Sequence, residues 1–153
     1  MPGEAAAQKT GAPILSIPFR PAAQPATDTP AARQRFRILL VDDHKVMRDG
    51  LAALLEEEPD IEVVGQAGNG RDAITLTGQL KPDVVVMDVV MPIINGEEAT
   101  RQIRAQWPHV RVVALSMLEE DTTRERMLKA GAEVFLSKAG PSEVIAAAIR
   151  HSS

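Results

Sequence analysis

The chain contains no cysteine. That excludes a disulfide framework, a thiolate metal site and a thiol nucleophile, and it agrees with a reducing cytoplasm. No apolar run approaches the roughly 20 residues needed to span a bilayer, so no membrane helix is expected. The N-terminus, MPGEAAAQKT, lacks a basic region followed by an apolar one and does not read as a secretory signal. Basic charge is in deficit: the net charge of −4 argues against a broad basic surface for nucleic acid. Aromatic residues make up only 3%, and the lone tryptophan, Trp107 before Pro108, reads as a packing residue at a helix end. What remains is ordinary for a soluble globular protein: 153 residues, 44% hydrophobic and 25% charged, enough for one domain with a real core.

Residues 1–35 differ from the rest. They hold six of the eleven prolines, are rich in alanine, and show no helical or strand period. They are expected to form a disordered extension, with 36–153 as the folded domain. One apolar island, PILSIPFRP (Pro13 to Pro21), reads as a chance cluster in a linker or as a short docking peptide.

From Phe36 onward the pattern alternates. Short aliphatic runs at 36–41, 61–65, 84–87, 110–115 and 133–136 read as strands. Helical patterns lie between them. Val46, Leu51, Leu54 and Leu55 mark one face of the first, and Ala73, Ile74, Thr77 and Leu80 that of the second, before Pro82. Ala99, Ile103 and Trp107 mark the third. Met127, Leu128 and Ala130 mark the fourth, ended by Gly131. Val144, Ile145, Ala148 and Ile149 mark the fifth, opened by Pro141 and Ser142. Five strand–helix units predict an α/β fold: a flavodoxin-like, doubly wound, five-stranded parallel sheet of order 2-1-3-4-5, with any ligand beyond the C-terminal strand ends.

Polar residues gather at those ends. The first strand runs into Asp42-Asp43, the third into Asp88, the fourth into Ser116, and the fifth reaches Lys138. Taken singly, each has an ordinary reading: a helix cap for Asp42 or Asp43, a loop hydroxyl for Ser116, a solvated amine for Lys138. Asp88 resists that treatment, because it follows four apolar residues and the next helix starts only near Asn95-Gly96. Three convergent carboxylates demand a cation. At about 4 Å and an effective dielectric of about 20, each like-charge pair costs about 4 kcal/mol. Mg²⁺ suits oxygen ligands and phosphate, and one carboxylate is then placed to attack phosphorus and form an aspartyl phosphate. Lys138 supplies further positive charge, and the Ser116 hydroxyl a hydrogen bond to the phosphoryl oxygens. His44, His109 and His151 show no ligand spacing and read as surface residues; Glu56-Glu57-Glu58 reads as a solvated helix end.

The segments ILLVDDH, VVVMDVVMPIINGEEA, VVALSM and KAGAEVFLSKAG together resemble the receiver domain of bacterial two-component response regulators, over residues 36–150. DDH followed by RDGL, and LSK without a following proline, resemble the NarL/FixJ-like subgroup. The resemblance implies that Asp88 is the phosphoacceptor. It implies Mg²⁺ held by Asp43 and Asp88, by Asp42 largely through water, and by the Val90 backbone carbonyl. Ser116 and Phe135 match the switch hydroxyl and switch aromatic, and Lys138 the phosphate-pairing lysine. Val90 and Leu118 flank the phosphoryl group, and as apolar side chains they predict slow self-dephosphorylation. The implied phosphodonor is a sensor histidine kinase; a homodimer is compatible, and DNA contact would need an output domain that this chain does not contain. The chain ends at Ser153, so it reads as a piece of a longer regulator or as a free-standing receiver.

The implied mechanism is a cytoplasmic phosphorylation switch with no turnover of an external substrate: Ser116 moves toward phosphorylated Asp88, Phe135 rotates into the vacated space, and the surface of the fourth helix, fifth strand and fifth helix changes. Competing readings fit less well. A haloacid-dehalogenase-like phosphatase needs a second aspartate where Val90 stands. A flavin carrier needs a Ser/Thr/Gly-rich loop where the acidic DDHKVM stands. A degenerate receiver would not need all five polar site residues.

Overall fold

A computed structural model describes residues 35–117 and 120–151. The expected disordered extension, Arg35 apart, and Leu118 lie outside the described residues. The elements are β1 (Phe36–Val41), α1 (Lys45–Glu56), β2 (Ile61–Ala67), α2 (Gly70–Leu80), β3 (Val84–Asp88), α3 (Gly96–Gln106), β4 (Arg111–Ser116), α4 (Asp121–Ala130), β5 (Val134–Ser137) and α5 (Ser142–Arg150). The sheet has the order β2-β1-β3-β4-β5 and every neighbouring pair is parallel, as the sequence predicts.

The strands are apolar on both faces because both are covered. Leu39, Val41, Val85, Met87, Val112 and Ala114 pack with Ala73 of α2, Ala99 and Ile103 of α3 and Met127 of α4. The alternate residues Ile38, Leu40, Val84, Val86, Val113 and Leu115 pack with Ala52 and Leu55 of α1 and Ile145, Ala146 and Ile149 of α5. Local signals bound the helices. The Asn69 and Asn95 side chains accept hydrogen bonds from the Asp72 and Glu98 amides. Lys81, before Pro82, and Gly131 end α2 and α4 with positive φ.

Several expected core positions differ. Val46 and Leu54 are exposed, and the core stripe of α1 is Ala52 and Leu55. At about 100° per residue, Val46 and Leu54 turn away from that stripe. Leu128 and Val144 are likewise exposed beside buried Met127 and Ile145. Glu58 is not merely solvated: its carboxylate lies 2.5 Å from the Arg150 guanidinium, which also pairs with Asp60 and so ties α5 to the turn before β2.

Register places the site. Val41 stands opposite Met87, so Asp42 and Asp88 follow side by side. Ser116 stands opposite Ser137, and the next amide, Lys138, donates to the Ser116 carbonyl at 2.9 Å.

Arg111, at the start of β4, fastens the far end of this face. Its guanidinium donates to Glu133 Oε1 at 2.7 and 2.9 Å, to the Ile149 and Ala148 carbonyls at 2.8 Å each, and to the His151 carbonyl. Those carbonyls lie at the end of α5, where a helix runs out of its own amide donors. Arg111→Met leaves them and the Glu133 carboxylate without this donor, so unfolding free energy should drop by about 2–3 kcal/mol. A urea midpoint unchanged by that substitution would show that the clamp contributes nothing.

Candidate functional site

Asp42 and Asp88 are buried at the C-terminal edge of the sheet, while Asp43 beside them is exposed. Lys138 Nζ lies 2.8 Å from Asp42 Oδ2 and 3.3 Å from Asp88 Oδ2, with all three side chains less than a tenth exposed. One ligand atom from each of Asp42, Asp43, His44 and Asp88 lies within 4.8 Å of the other three. Three carboxylates against one ammonium leave a formal charge of −2, which a divalent cation neutralises.

The electrostatics are those of a buried, under-compensated acid. Burial pushes the Asp88 carboxyl above its ordinary range; Lys138 opposes this, while Asp42 and Asp43 add to it. For Lys138, burial pulls the ammonium down, but the carboxylates of Asp42 and Asp88 outweigh it and hold the group above its usual value.

The surrounding backbone is fixed by contacts the sequence did not advertise. The Asp42 carboxylate accepts from the His44 amide at 2.8 Å rather than capping α1, whose N-cap residue is His44. Arg48 of α1 reaches back, with Nη1 donating to the Asp42 carbonyl and Nε to Gln66 Oε1 at 2.8 Å, bracing the ends of β1 and β2. After Asp88, Gly96 comes so close that a Cβ there would lie 2.1 Å from the Asp88 carbonyl oxygen. Only glycine permits α3 to begin that near the strand end. Within the same loop Ile93 has φ 71°, a left-handed conformation strained for a β-branched residue.

Asp42, Asp43, Asp88 and Lys138 thus come together as the sequence predicts. Ser116 is buried at the end of β4. Val90 is 63% exposed. Phe135, the residue matched to the switch aromatic, lies at the middle of β5. It is already buried, on the face of β5 that packs with Met127 and Ala132, and the Arg124 guanidinium sits 5.3 Å from its ring centroid. Arg48 and Gly96 are contributors that the sequence reading missed; the NG pair before α3 was the available signal for Gly96. His109 and His151 lie on the surface as expected. His44 is also 70% exposed, yet its Nδ1 lies 3.2 Å from Asp43 Oδ1 and 3.4 Å from Asp42 Oδ1.

A parallel α/β sheet with an acid triad and a buried lysine at its C-terminal edge defines a class: proteins that gather a divalent cation and a phosphoryl group around a carboxylate. Residues 38–150 match the model of the response regulator receiver domain, and the chain belongs to that family. It is 44% identical over 112 residues to the response regulator GacA of Pseudomonas viridiflava, covering 72% of this chain and 52% of that protein. It is 42% identical over 117 residues to the transcriptional regulatory protein LiaR of Bacillus subtilis (strain 168), covering 76% and 56%. A solved two-component response regulator of the LuxR family from Aurantimonas sp. SI85-9A1 superposes with a TM-score of 0.72 at 34% identity, covering 75% of this chain and 82% of that one. The NarL-type reading of the sequence is borne out. The chain spans about half the length of the curated relatives it matches. Family membership sets aside the phosphatase and flavin-carrier readings; receivers are signalling proteins rather than classical enzymes.

Receivers of this family bind Mg²⁺ in an acidic pocket, and the donor set fits that ion: hard carboxylate oxygens and a charge deficit of two. Asp43 and Asp88 would hold it, with Asp42 beside them.

The raised Asp88 group sets a pH dependence. Between the ordinary carboxyl range and its raised value, the folded chain binds more protons than the unfolded one, so this group's contribution to stability falls as pH rises through that window. Asp88→Asn removes the penalty. In chelator at neutral pH the variant should be more stable by about 1 kcal/mol, roughly 4 °C in Tm, with the gap closing toward about pH 4. A melting series in which Asp88→Asn is the less stable protein at pH 7 would contradict this account of the pocket.

Proposed function

We propose that this chain is a phosphorylation-activated switch in which Asp88 accepts a phosphoryl group from the phosphohistidine of a sensor histidine kinase. The observation that carries the reading is the pairing of Lys138 with both buried carboxylates, Asp42 and Asp88. An Asp88 oxygen attacks phosphorus while the phosphorus–nitrogen bond of the donor breaks, and the released imidazole takes up a proton. Lys138 holds one Asp88 oxygen and balances charge building on the phosphoryl oxygens. Bound Mg²⁺ supplies the remaining charge neutralisation. Ser116, buried one position beyond Asp88 across the β3–β4 pair, donates a hydroxyl hydrogen bond to the acyl phosphate in this reading. An apolar groove between α1 and α5, lined by Met47, Leu51, Leu54 and Ile145, opens beside Asp42 and Lys138 and suits a helix of the donor.

Phosphorylation then alters the surface of α4, β5 and α5, with Arg124 over Phe135 as part of that surface. The output we favour is control of transcription, through a DNA-binding domain outside this chain and with homodimerisation on that surface. The relatives of about twice the length support it. The second route is direct contact with a partner protein. A cytoplasmic site of action follows from the kinase partner, and no helix among the described residues is long and apolar enough to cross a membrane.

Incubated with Mg²⁺ and acetyl phosphate, the chain should gain one phosphoryl group by intact mass, and Asp88→Asn none; uptake by the variant at the parental rate would refute the assignment. A second measurement addresses lifetime. Val90 and Leu118 offer no group to orient an attacking water, so the acyl phosphate should decay slowly. A polar pair at those positions should speed decay about tenfold or more, and an unchanged rate would remove both residues from that role.

A further inference from the structure

Among the described residues of the acidic cluster, His44 is the one whose chemistry the phosphotransfer reading leaves unused. Its Nδ1 lies 3.4 Å from Asp42 Oδ1 and 3.2 Å from Asp43 Oδ1. Lys138 occupies the other side, facing the Oδ2 atoms of Asp42 and Asp88. The imidazole therefore sits on the side of the carboxylates that the ammonium leaves open.

Those spacings are the spacings of ligands on one ion. With metal–ligand bonds of about 2.1 Å, adjacent ligands stand about 3.0 Å apart in an octahedron and about 3.4 Å apart in a tetrahedron. The atoms of Asp42, Asp43, His44 and Asp88 all fall within 4.8 Å of one another, a span that small side-chain rotations close. His44 is also free of the usual structural duty at its position: it is the N-cap residue of α1, yet its side chain caps no helix amide. The imidazole is 70% exposed, so turning it onto an ion disturbs no core packing.

Donor type decides which ion benefits. Mg²⁺ gains little from imidazole nitrogen, whereas late first-row divalent ions prefer it, in the order Co²⁺ below Ni²⁺, with Zn²⁺ also well suited. We propose that His44 is a nitrogen ligand that makes this pocket a mixed carboxylate–imidazole site, selective for late first-row divalent ions over Mg²⁺. The proposal rests on the reading of the pocket as the receiver's cation site and adds a fourth side chain and a metal preference to it. Cellular transition metal then competes with Mg²⁺ at the phosphoacceptor.

The test uses the full chain, Co²⁺ and Mg²⁺. Calorimetric titration gives both dissociation constants for the parent and for His44→Gln. The ratio of Co²⁺ to Mg²⁺ affinity should fall by about tenfold or more in the variant. Proton NMR of the Co²⁺-loaded parent should show strongly shifted imidazole resonances that vanish in His44→Gln. Equal weakening of both ions would make His44 only a hydrogen-bond donor to the carboxylates and overturn the proposal. So would the absence of shifted imidazole signals in the Co²⁺-loaded parent, whatever the affinities. Failure of the parent to bind either ion would overturn the pocket reading as well. Binding of Mg²⁺ that is lost in Asp43→Asn, without any His44 signature, would leave that reading standing and sink this inference alone.

Discussion

Like-charge repulsion between Asp42, Asp43 and Asp88 is the constraint around which this molecule is arranged. Bringing carboxylates together at the rim of an apolar sheet is costly in a low-dielectric setting. Lys138 offsets part of that cost by reaching Oδ2 of both buried aspartates. The remainder is left in place, and burial keeps Asp88 reluctant to ionise. A site that is comfortable by itself would have little affinity for a cation; this one attracts a cation because its negative charge is incompletely balanced.

The fold bears the cost of that arrangement elsewhere. Two-sided burial of β1, β3 and β4 holds the strand ends in register, so Asp42 and Asp88 cannot drift apart to relieve their repulsion. Arg48 pins the Asp42 carbonyl to the end of β2, and Gly96 brings α3 against the Asp88 carbonyl. Ile93 adds backbone strain in the same loop. At the opposite end, Arg111 and Arg150 secure α5 through its last carbonyls and through Glu58 and Asp60. Stability is thus concentrated in the core and the far rim, and tension at the edge that carries the acid cluster.

The exposed groups around that edge carry the remaining individuality. Val90 is exposed to solvent, whereas the Phe135 ring is inside under Arg124.

The amino-acid order alone determined the five strand–helix units, the parallel sheet and the polar residues at its edge. Each of those is written in local signals: aliphatic runs bounded by Pro82, Pro108 and Gly131, caps at Asn69 and Asn95, and single acids ending apolar stretches. Strand order was equally legible in outline, since a βα repeat leaves few ways to wind. Which apolar residues face the core was not, because Val46, Leu54 and Leu128 look no different from Leu55 and Met127 until a helix is set at a particular rotation on the sheet. The same holds for Arg48, Gly96 and His44. Their contacts with Asp42, Asp43 and Asp88 depend on distances of a few ångströms between segments far apart in the chain or turned by a single loop, and only the packed structure sets such distances.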